Sequence, residues 1–168
     1  MEIVPIPCLQ DNFAYLLICP KTGEAGVVDP SEADPVRKEI KRQNVKLTAI
    51  LNTHHHWDHV GGKKGIEGDY SELKIYGHAS DKGRIPEQTE FLEDGDRVLF
   101  GEQSGSFLHN PGHTSGAITY LFGKTAFTGD TLFAAGCGGL FEGISGTNDD
   151  SLNNRLEASG PDRAVFRT

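Results

Sequence analysis

The feature that most constrains the fold is a histidine cluster that directly follows an apolar run. The run Leu47-Thr48-Ala49-Ile50-Leu51 is nearly continuous in apolar residues, which is typical of a strand buried on both faces. The cluster His54-His55-His56-Trp57-Asp58-His59 begins three positions beyond the end of that run. Loops at strand ends carry many binding and catalytic groups. The sequence therefore predicts an imidazole-rich site at the edge of a sheet.

The spacing within the cluster predicts metal binding. Along an extended segment, His54, His56 and Asp58 point to one side, and His55 points to the other. Two imidazoles and a carboxylate can then converge on one ion, and these are ligands that zinc prefers. If a turn or helix begins at Asp58, His59 can turn toward a second ion. The alternative, a merely polar or tag-like loop, does not account for a cluster that follows a buried strand.

Two further segments supply groups of the same kind. In Asn110-Pro111-Gly112-His113-Thr114, proline and glycine fix the turn that aims the histidine. In Phe127-Thr128-Gly129-Asp130-Thr131, a carboxylate follows a short strand, a position from which it can bridge two cations. Taken alone, His113 is more typical of an ordinary loop and Asp130 of a turn or helix cap. Three such segments in 168 residues predict a metal centre.

The rest of the chain predicts one α/β domain in which strands outnumber helices. A helix is predicted from Asp34 and Pro35 to about Asn44, with Val36 and Ile40 on one face. A second helix is predicted at 149–158. Strands are predicted at 3–6, 13–18, 26–29, 47–51, 73–76, 97–100, 106–108, 118–121 and 125–127. The pattern favours a layered sandwich with function in the loops at one edge.

Composition excludes several classes of function. The net charge of -8, from 16 basic and 24 acidic residues, argues against nucleic acid as the main partner. No run approaches the roughly 20 apolar residues of a membrane span. The amino terminus has no basic segment followed by an apolar one, so a cytosolic address is the default expectation. Three widely spaced cysteines, Cys8, Cys19 and Cys137, favour reduced thiols over a disulfide framework.

Taken together, the three segments resemble the metallo-β-lactamase superfamily and, more narrowly, glyoxalase II, the hydroxyacylglutathione hydrolases. The resemblance covers about residues 1–143 and includes Asp11-Asn12-Phe13-Ala14-Tyr15 and Val28-Asp29-Pro30. Its most family-specific part is Thr128-Gly129-Asp130-Thr131-Leu132-Phe133 with Gly136-Cys137-Gly138 and Leu140-Phe141-Glu142-Gly143. It implies an αββα sandwich, with residues 1–168 forming one metallo-β-lactamase-type domain.

The resemblance also implies a two-metal site and a reaction. His54, His56 and His113 would hold the first ion, Asp58 and His59 the second, and Asp130 would bridge them. Asp58 and Asp130 would be the catalytic carboxylates. A metal-bound hydroxide would attack a small-molecule thioester such as S-D-lactoylglutathione, releasing a 2-hydroxy acid and glutathione, as in methylglyoxal detoxification. Zinc is the expected cofactor, with iron or manganese as alternatives.

The sequence departs from the family at its substrate and carboxyl-terminal positions. Gly139 stands where the family usually has a cation that contacts glutathione, while Phe141 keeps an aromatic surface. Ala117 replaces a histidine common in the family. The strand predicted at 164–166 is not followed by the family's Cys-Gly-His-Glu-Tyr segment or its helical domain. We therefore expect a C-terminally shortened domain, an incomplete second metal site and exposed surface that favours self-association.

Two other functions compete with thioester hydrolysis. One is a mononuclear iron enzyme similar to the persulfide dioxygenases, with His54, His113 and Asp130 as its ligands; the segment at 140–143 argues against it. The other is a non-catalytic, truncated paralogue that binds metal. Cys137 is a candidate substitute ligand, although a small residue packed between glycines is the favoured interpretation.

Overall fold

Two β-sheets lie against each other in the computed structural model, which describes residues 1–67, 72–131 and 164–166. The strands are β1 (Glu2–Cys8), β2 (Asn12–Ile18), β3 (Glu24–Val28), β4 (Lys46–Leu51), β5 (Lys74–His78), β6 (Glu90–Leu92), β7 (Val98–Phe100), β8 (Gln103–His109), β9 (Ile118–Phe122), β10 (Thr125–Phe127) and β11 (Ala164–Phe166). The helices are α1 (Ala33–Gln43), α2 (Trp57–Val60) and α3 (Lys63–Glu67), and short 3-10 turns lie at Ala79–Asp81 and Gly129–Thr131.

The first sheet has the strand order β1-β2-β3-β4-β5-β6. Its first three strands are antiparallel, and β3 to β6 are parallel. The apolar run that precedes the histidine cluster forms β4. Ala49 and Leu51 of β4 pack on one face of the sheet, and Leu47 and Ile50 pack on the other. The predicted burial of this strand on both faces is confirmed.

The second sheet has the order β11-β10-β9-β8-β7. Neighbouring strands in this sheet are antiparallel, except for the parallel pair β10 and β11. Because β8 and β10 are each antiparallel to β9, they run in the same direction. The carboxyl ends of β8 and β10 therefore lie at the same edge of the sheet. His113 and Asp130 follow these two ends in sequence.

The core has two layers. Apolar side chains of the first sheet pack against Val36 and Ile40 of α1 and Ile66 of α3. The other face of that sheet packs against the second sheet, with Tyr120 and Phe127 fully buried between them. Side-chain alternation along each strand explains how one strand serves both layers. The helices and the two sheets form successive layers, which confirms the predicted α/β sandwich. The helix predicted at 149–158 lies outside the described residues.

Helix α1 begins one residue before the predicted cap. Glu32 is the N-cap, so Asp34 and Pro35 lie in the first turn instead of at the cap and first position. An acidic side chain in the first turn favours the helix dipole, and proline is tolerated there because its missing N–H has no helical acceptor. The helix ends at Gln43, close to the predicted end, and its C-cap Asn44 has a left-handed conformation with φ of 53°.

The sequence patterns missed some of the short elements. Strand β6 has three residues and pairs in parallel with β5, and so short a segment carries too little alternation to be recognised. Helix α2 begins at Trp57, with His56 as its N-cap. The predicted strands are present, with ends that differ by a few residues. None of the helices in the described ranges is long and apolar enough to cross a membrane.

The Gly61-Gly62 pair after α2 lets the chain pass close to the loop that follows β3. The amide of Gly62 donates to the Pro30 carbonyl at 2.9 Å. A Cβ at Gly62 would lie 2.5 Å from the carbonyl carbon of Glu32 and 2.7 Å from the Pro30 oxygen. Both neighbours are backbone atoms, which cannot move aside as a flexible side chain can.

We expect Gly62→Ala to lower the free energy of unfolding by about 3 kcal/mol, because overpacking against backbone lies at the costly end of such changes. Urea unfolding of the metal-free protein measures it. Gly83→Ala is the matched control. Gly83 has φ of +81° and open space around it, so its substitution adds only backbone strain of about 1 kcal/mol. Equal costs at the two glycines would contradict the packing argument.

Candidate metal centre

The histidine cluster lies where the two sheets end together. The amide of Ile118 in the second sheet donates to the Thr53 carbonyl at 2.9 Å, and the Tyr120 hydroxyl donates to the Asn52 carbonyl at 2.9 Å. These bonds join the end of β4 to the second sheet. The segments carrying His113 and Asp130 follow β8 and β10. All three predicted segments therefore meet at one edge of the sandwich.

Two groups of candidate ligands form there. The first is His54, His56 and His113, and the second is His54, His59 and Asp130; in each group the ligand atoms lie within 4.8 Å of one another. The Nε2 atom of His113 is 3.0 Å from Nδ1 of His56. His54 belongs to both groups. The arrangement therefore offers two neighbouring places for a cation.

Asp130 lies between the two groups. Its Oδ1 atom is 3.4 Å from Nε2 of His59, and its Oδ2 atom is 3.2 Å from Nε2 of His113. Each carboxylate oxygen thus faces a different group, which is the arrangement that a bridging ligand needs. The Asp58 carboxylate lies on the side of the second group, with Oδ2 at 3.6 Å from Nε2 of His59.

Backbone conformation explains how these side chains are aimed. His54 and His56 face the centre and His55 faces Asp81, in agreement with the predicted alternation. The alternation does not extend to Asp58, because helix α2 has already begun at Trp57. The direction of Asp58 and His59 is therefore set by the helix, one residue earlier than the predicted turn.

One buried nitrogen tests whether the residues fit a metal. The Nε2 atom of His54 is buried and has no hydrogen-bond partner among the described residues, while its Nδ1 atom is 3.1 Å from the Thr53 hydroxyl. A buried polar atom without a partner costs free energy, so proteins rarely leave one. A cation bound in the centre would satisfy this nitrogen. The donor set of imidazoles and carboxylates fits a transition metal.

The charges of His54, His56 and Asp130 agree with that fit. Burial, together with His59 and His113, holds the pKa of His54 well below its usual value, and burial with His113 lowers the pKa of His56. Burial alone would raise the pKa of Asp130, but its contact with His59 lowers it overall. Burial opposes protonation of His59, yet Asp29 and Asp130 raise its pKa to about 10. Neutral imidazoles and an ionised carboxylate are the forms that bind metal, so His54, His56 and Asp130 are ready to bind, whereas His59 must release its proton before it can bind an ion.

Comparison with known proteins decides the family. A sequence profile of the Metallo-beta-lactamase superfamily matches residues 11–166. The chain belongs to the metallo-beta-lactamase superfamily. The hydroxyacylglutathione hydrolase of Thermosynechococcus vestitus is 48% identical over 155 residues, which cover 91% of this chain and 62% of that protein. The chain thus spans about 62% of the length of this curated relative. The resemblance found in the sequence is confirmed.

Solved structures share the fold of this chain. BLEG-1 B3 metallo-beta-lactamase superposes with a TM-score of 0.87 at 24% identity, over 99% of this chain and 90% of that one. TTHA1623, solved in a di-iron-bound form, superposes with a TM-score of 0.78 at 28% identity, over 99% of this chain and 91% of that one. The superfamily and the histidine groups together indicate a metal-binding domain.

This metallo-beta-lactamase domain has a supporting residue that sequence reasoning passed over. Asp29 is fully buried, and its carboxylate accepts from the Thr53 amide at 2.7 Å and the Thr53 hydroxyl at 2.6 Å. Its Oδ2 atom also lies 3.1 Å from Nδ1 of His59. Asp29 therefore holds the residue before His54 and orients His59 at once. The available signal was a carboxylate at a strand end, in Val28-Asp29-Pro30.

Helix α2 of the domain is held by two further side chains. The side-chain amide of Asn12 donates to the Asp58 carbonyl at 3.0 Å, and the Ser31 hydroxyl donates to the same carbonyl. Of the predicted thiols, Cys8 and Cys19 are free and buried. The predicted substrate positions Gly139 and Phe141, and Cys137 with them, lie outside the described residues.

Proposed function

We propose that the domain is a metal-dependent thioester hydrolase of the hydroxyacylglutathione hydrolase type. The observation that carries the proposal is the pair of ligand groups that share His54 and have Asp130 between them. Support comes from the curated relative, which bears the name hydroxyacylglutathione hydrolase over a shared 155 residues. The chain covers less than two thirds of that relative, so its activity and substrate are part of the proposal.

We assign the ligands as follows. His54, His56 and His113 would hold one ion, Asp58 and His59 a second, and Asp130 would bridge them. Zinc is the proposed metal, because imidazole nitrogen and carboxylate oxygen are its preferred ligands in catalytic sites. Iron is the alternative, and the related TTHA1623 has been solved in a di-iron-bound form. When bound, such ions supply Lewis acidity and make water a nucleophile near neutral pH.

The chain's own carboxylates would orient the reactants. The Asp58 side chain is 31% exposed and that of Asp130 is 17% exposed, so Asp58 is the carboxylate more open to solvent. It can accept a hydrogen bond from an entering water molecule, while Asp130 aligns the two histidine groups. Water adds to the thioester carbonyl carbon and the C–S bond breaks, giving a carboxylic acid and a thiol. A thiolate with a pKa near ~8.5 needs little protonation to leave.

Metal analysis combined with turnover tests this function. We expect one tightly held zinc-like ion at the three imidazoles of the first group, a second, more weakly held ion at Asp58 and His59, and hydrolysis of S-D-lactoylglutathione that stops when a chelator removes the metal. One iron per chain, with oxygen uptake in place of hydrolysis, would instead indicate a persulfide dioxygenase-like enzyme. Bound metal without thioester hydrolysis and without oxygen uptake would indicate a non-catalytic metal-binding protein.

A substitution outside the described residues tests the substrate. We expect Gly139→Lys to lower the KM for S-D-lactoylglutathione about tenfold and to change kcat little, because a remote charge contact stabilises bound substrate and transition state equally. Steady-state kinetics measures both constants. Gly139→Gln, which adds length without charge, is the control. An unchanged KM in the lysine variant would count against glutathione recognition at this position.

A further inference from the structure

A buried carboxylate outside the ligand groups contacts the histidine between two ligands. Asp81, in the 3-10 turn after β5, is fully buried. Its Oδ1 atom lies 3.1 Å from Nδ1 of His55 and 3.6 Å from Nη1 of Arg84. Arg84 is held close by the turn itself, because its amide donates to the Asp81 carbonyl at 2.8 Å.

Arg84 determines how His55 is held. Its Nη2 atom lies 2.7 Å from Nε2 of His55. A guanidinium N–H can only donate a hydrogen bond, so Nε2 of His55 accepts, and the imidazole proton lies on Nδ1, which faces Asp81. Both ring nitrogens are then engaged away from the metal centre. His55 is fixed between His54 and His56, and the backbone from which those two project is fixed with it.

The same two residues also contact the segment that carries His113. The Nη1 atom of Arg84 donates to the Ser115 hydroxyl at 3.2 Å. A Cβ at Gly116 would lie 2.4 Å from Cγ of Asp81 and 2.5 Å from both its oxygens, so the backbone there packs directly on the carboxylate. Asp81 and Arg84 therefore touch both ligand-bearing segments, which belong to different sheets.

We propose that Asp81 and Arg84 are positioning residues for the metal centre. They hold the segment of His54 and His56 and the segment of His113 in one cluster around the buried Asp81 carboxylate, and so set the distance between the imidazoles. His56 and His113 are 57 residues apart in sequence, so no local structure fixes their separation. Ligand groups must be held to within about 0.5 Å of their working geometry. The inference rests on the proposed metal centre.

Zinc affinity, measured with Zn²⁺ alone by chelator competition, tests the proposal. We expect the dissociation constant to rise about 10- to 100-fold in Asp81→Asn and in Arg84→Ala, as is typical when a residue supporting a ligand is lost. The zinc dissociation constant of Arg84→Lys should lie between those of these variants and that of the unchanged protein, because lysine keeps the charge but cannot contact His55 and Ser115 together. Arg97→Ala is the matched control, since Arg97 bonds Ser104 on the hairpin of β7 and β8.

A second readout separates positioning from general stability. The absorption bands of bound Co²⁺ report ligand geometry, and we expect them to shift in Asp81→Asn and Arg84→Ala but not in Arg97→Ala. Variants that lower the melting temperature of the metal-free protein, yet keep the zinc dissociation constant and the Co²⁺ spectrum, would overturn the proposal. If Asp81→Asn fails to fold, the zinc dissociation constants and Co²⁺ spectra of Arg84→Lys and Ser115→Ala test the proposal instead.

Zinc binding by the unchanged protein distinguishes failure of the proposed function from failure of the positioning role. If it binds no Zn²⁺, the proposed function fails and the positioning role fails with it. If it binds Zn²⁺ and the variants bind equally well, only the positioning role fails.

Discussion

Replacing His56 with alanine is expected to remove most of the bound metal and, with it, the proposed thioester hydrolysis. His56 belongs to the first ligand group, with its Nδ1 atom 3.0 Å from Nε2 of His113. Loss of a residue that only supports a ligand weakens metal binding roughly 10- to 100-fold. Loss of a ligand itself should exceed about 100-fold on that scale. Elemental analysis after dialysis, paired with the thioester assay, measures both effects.

A histidine outside the ligand groups provides the control. His78 ends β5 and stacks on His109, with ring centroids 3.8 Å apart. His78→Ala removes the same side chain from a place outside both ligand groups, although it also removes the cap of the turn that carries Asp81, so we expect a much smaller loss of metal than in His56→Ala. Should His56→Ala retain the metal content of His78→Ala, the assignment of the first ligand group would be wrong.

The second large effect is expected at Asp29. We expect Asp29→Asn to lower the free energy of unfolding by about 3–5 kcal/mol, the usual cost of removing one partner from a buried charged contact. The carboxylate receives two hydrogen bonds from Thr53 and lies 3.1 Å from Nδ1 of His59. An amide has only one oxygen, and its NH2 group would face donors. Urea unfolding of the metal-free protein isolates this cost from that of metal loss.

An aspartate in an exposed turn makes the matching comparison. Asp96 accepts a single hydrogen bond from the Glu93 amide at 2.9 Å. Asp96→Asn makes the same chemical change at the surface, where we expect a cost of at most about 0.5 kcal/mol. An Asp29→Asn protein that unfolds at the same urea concentration as Asp96→Asn would show that the buried carboxylate does not hold this edge together.

The sequence predicted those strands, helices and candidate ligands that depend on residues close together in the chain. Strand β4 was recognisable because five consecutive apolar or small residues mark a strand with two buried faces, and α1 because Val36 and Ile40 repeat at helical spacing. The candidate ligands were recognisable because histidines and aspartates are concentrated at strand ends. The resemblance to hydroxyacylglutathione hydrolases then grouped them into two sets.

The supporting residues could not be predicted in this way. Asp29 bonds Thr53 across 24 residues, and Arg84 contacts His55 across 29 residues. Such pairs form only when β3, β4 and the turn after β5 are brought together by the parallel sheet. Nothing in the immediate sequence around Arg84 distinguishes it from an ordinary surface arginine. The start of helix α2 at Trp57, one residue before the predicted turn, was likewise not recognisable, because a four-residue helix shows no repeated apolar spacing.

The origin of the proposed ligands in two different sheets couples metal concentration to folding. An ion held by His54 and His56 after β4, and by His113 after β8, is a cross-link that exists only in the folded sandwich. Mass action then adds about 4.1 kcal/mol of stability when free metal exceeds its dissociation constant 1,000-fold. The melting temperature should rise with the logarithm of free zinc. Thermal unfolding followed across a zinc buffer series would therefore report the affinity of the centre without any substrate.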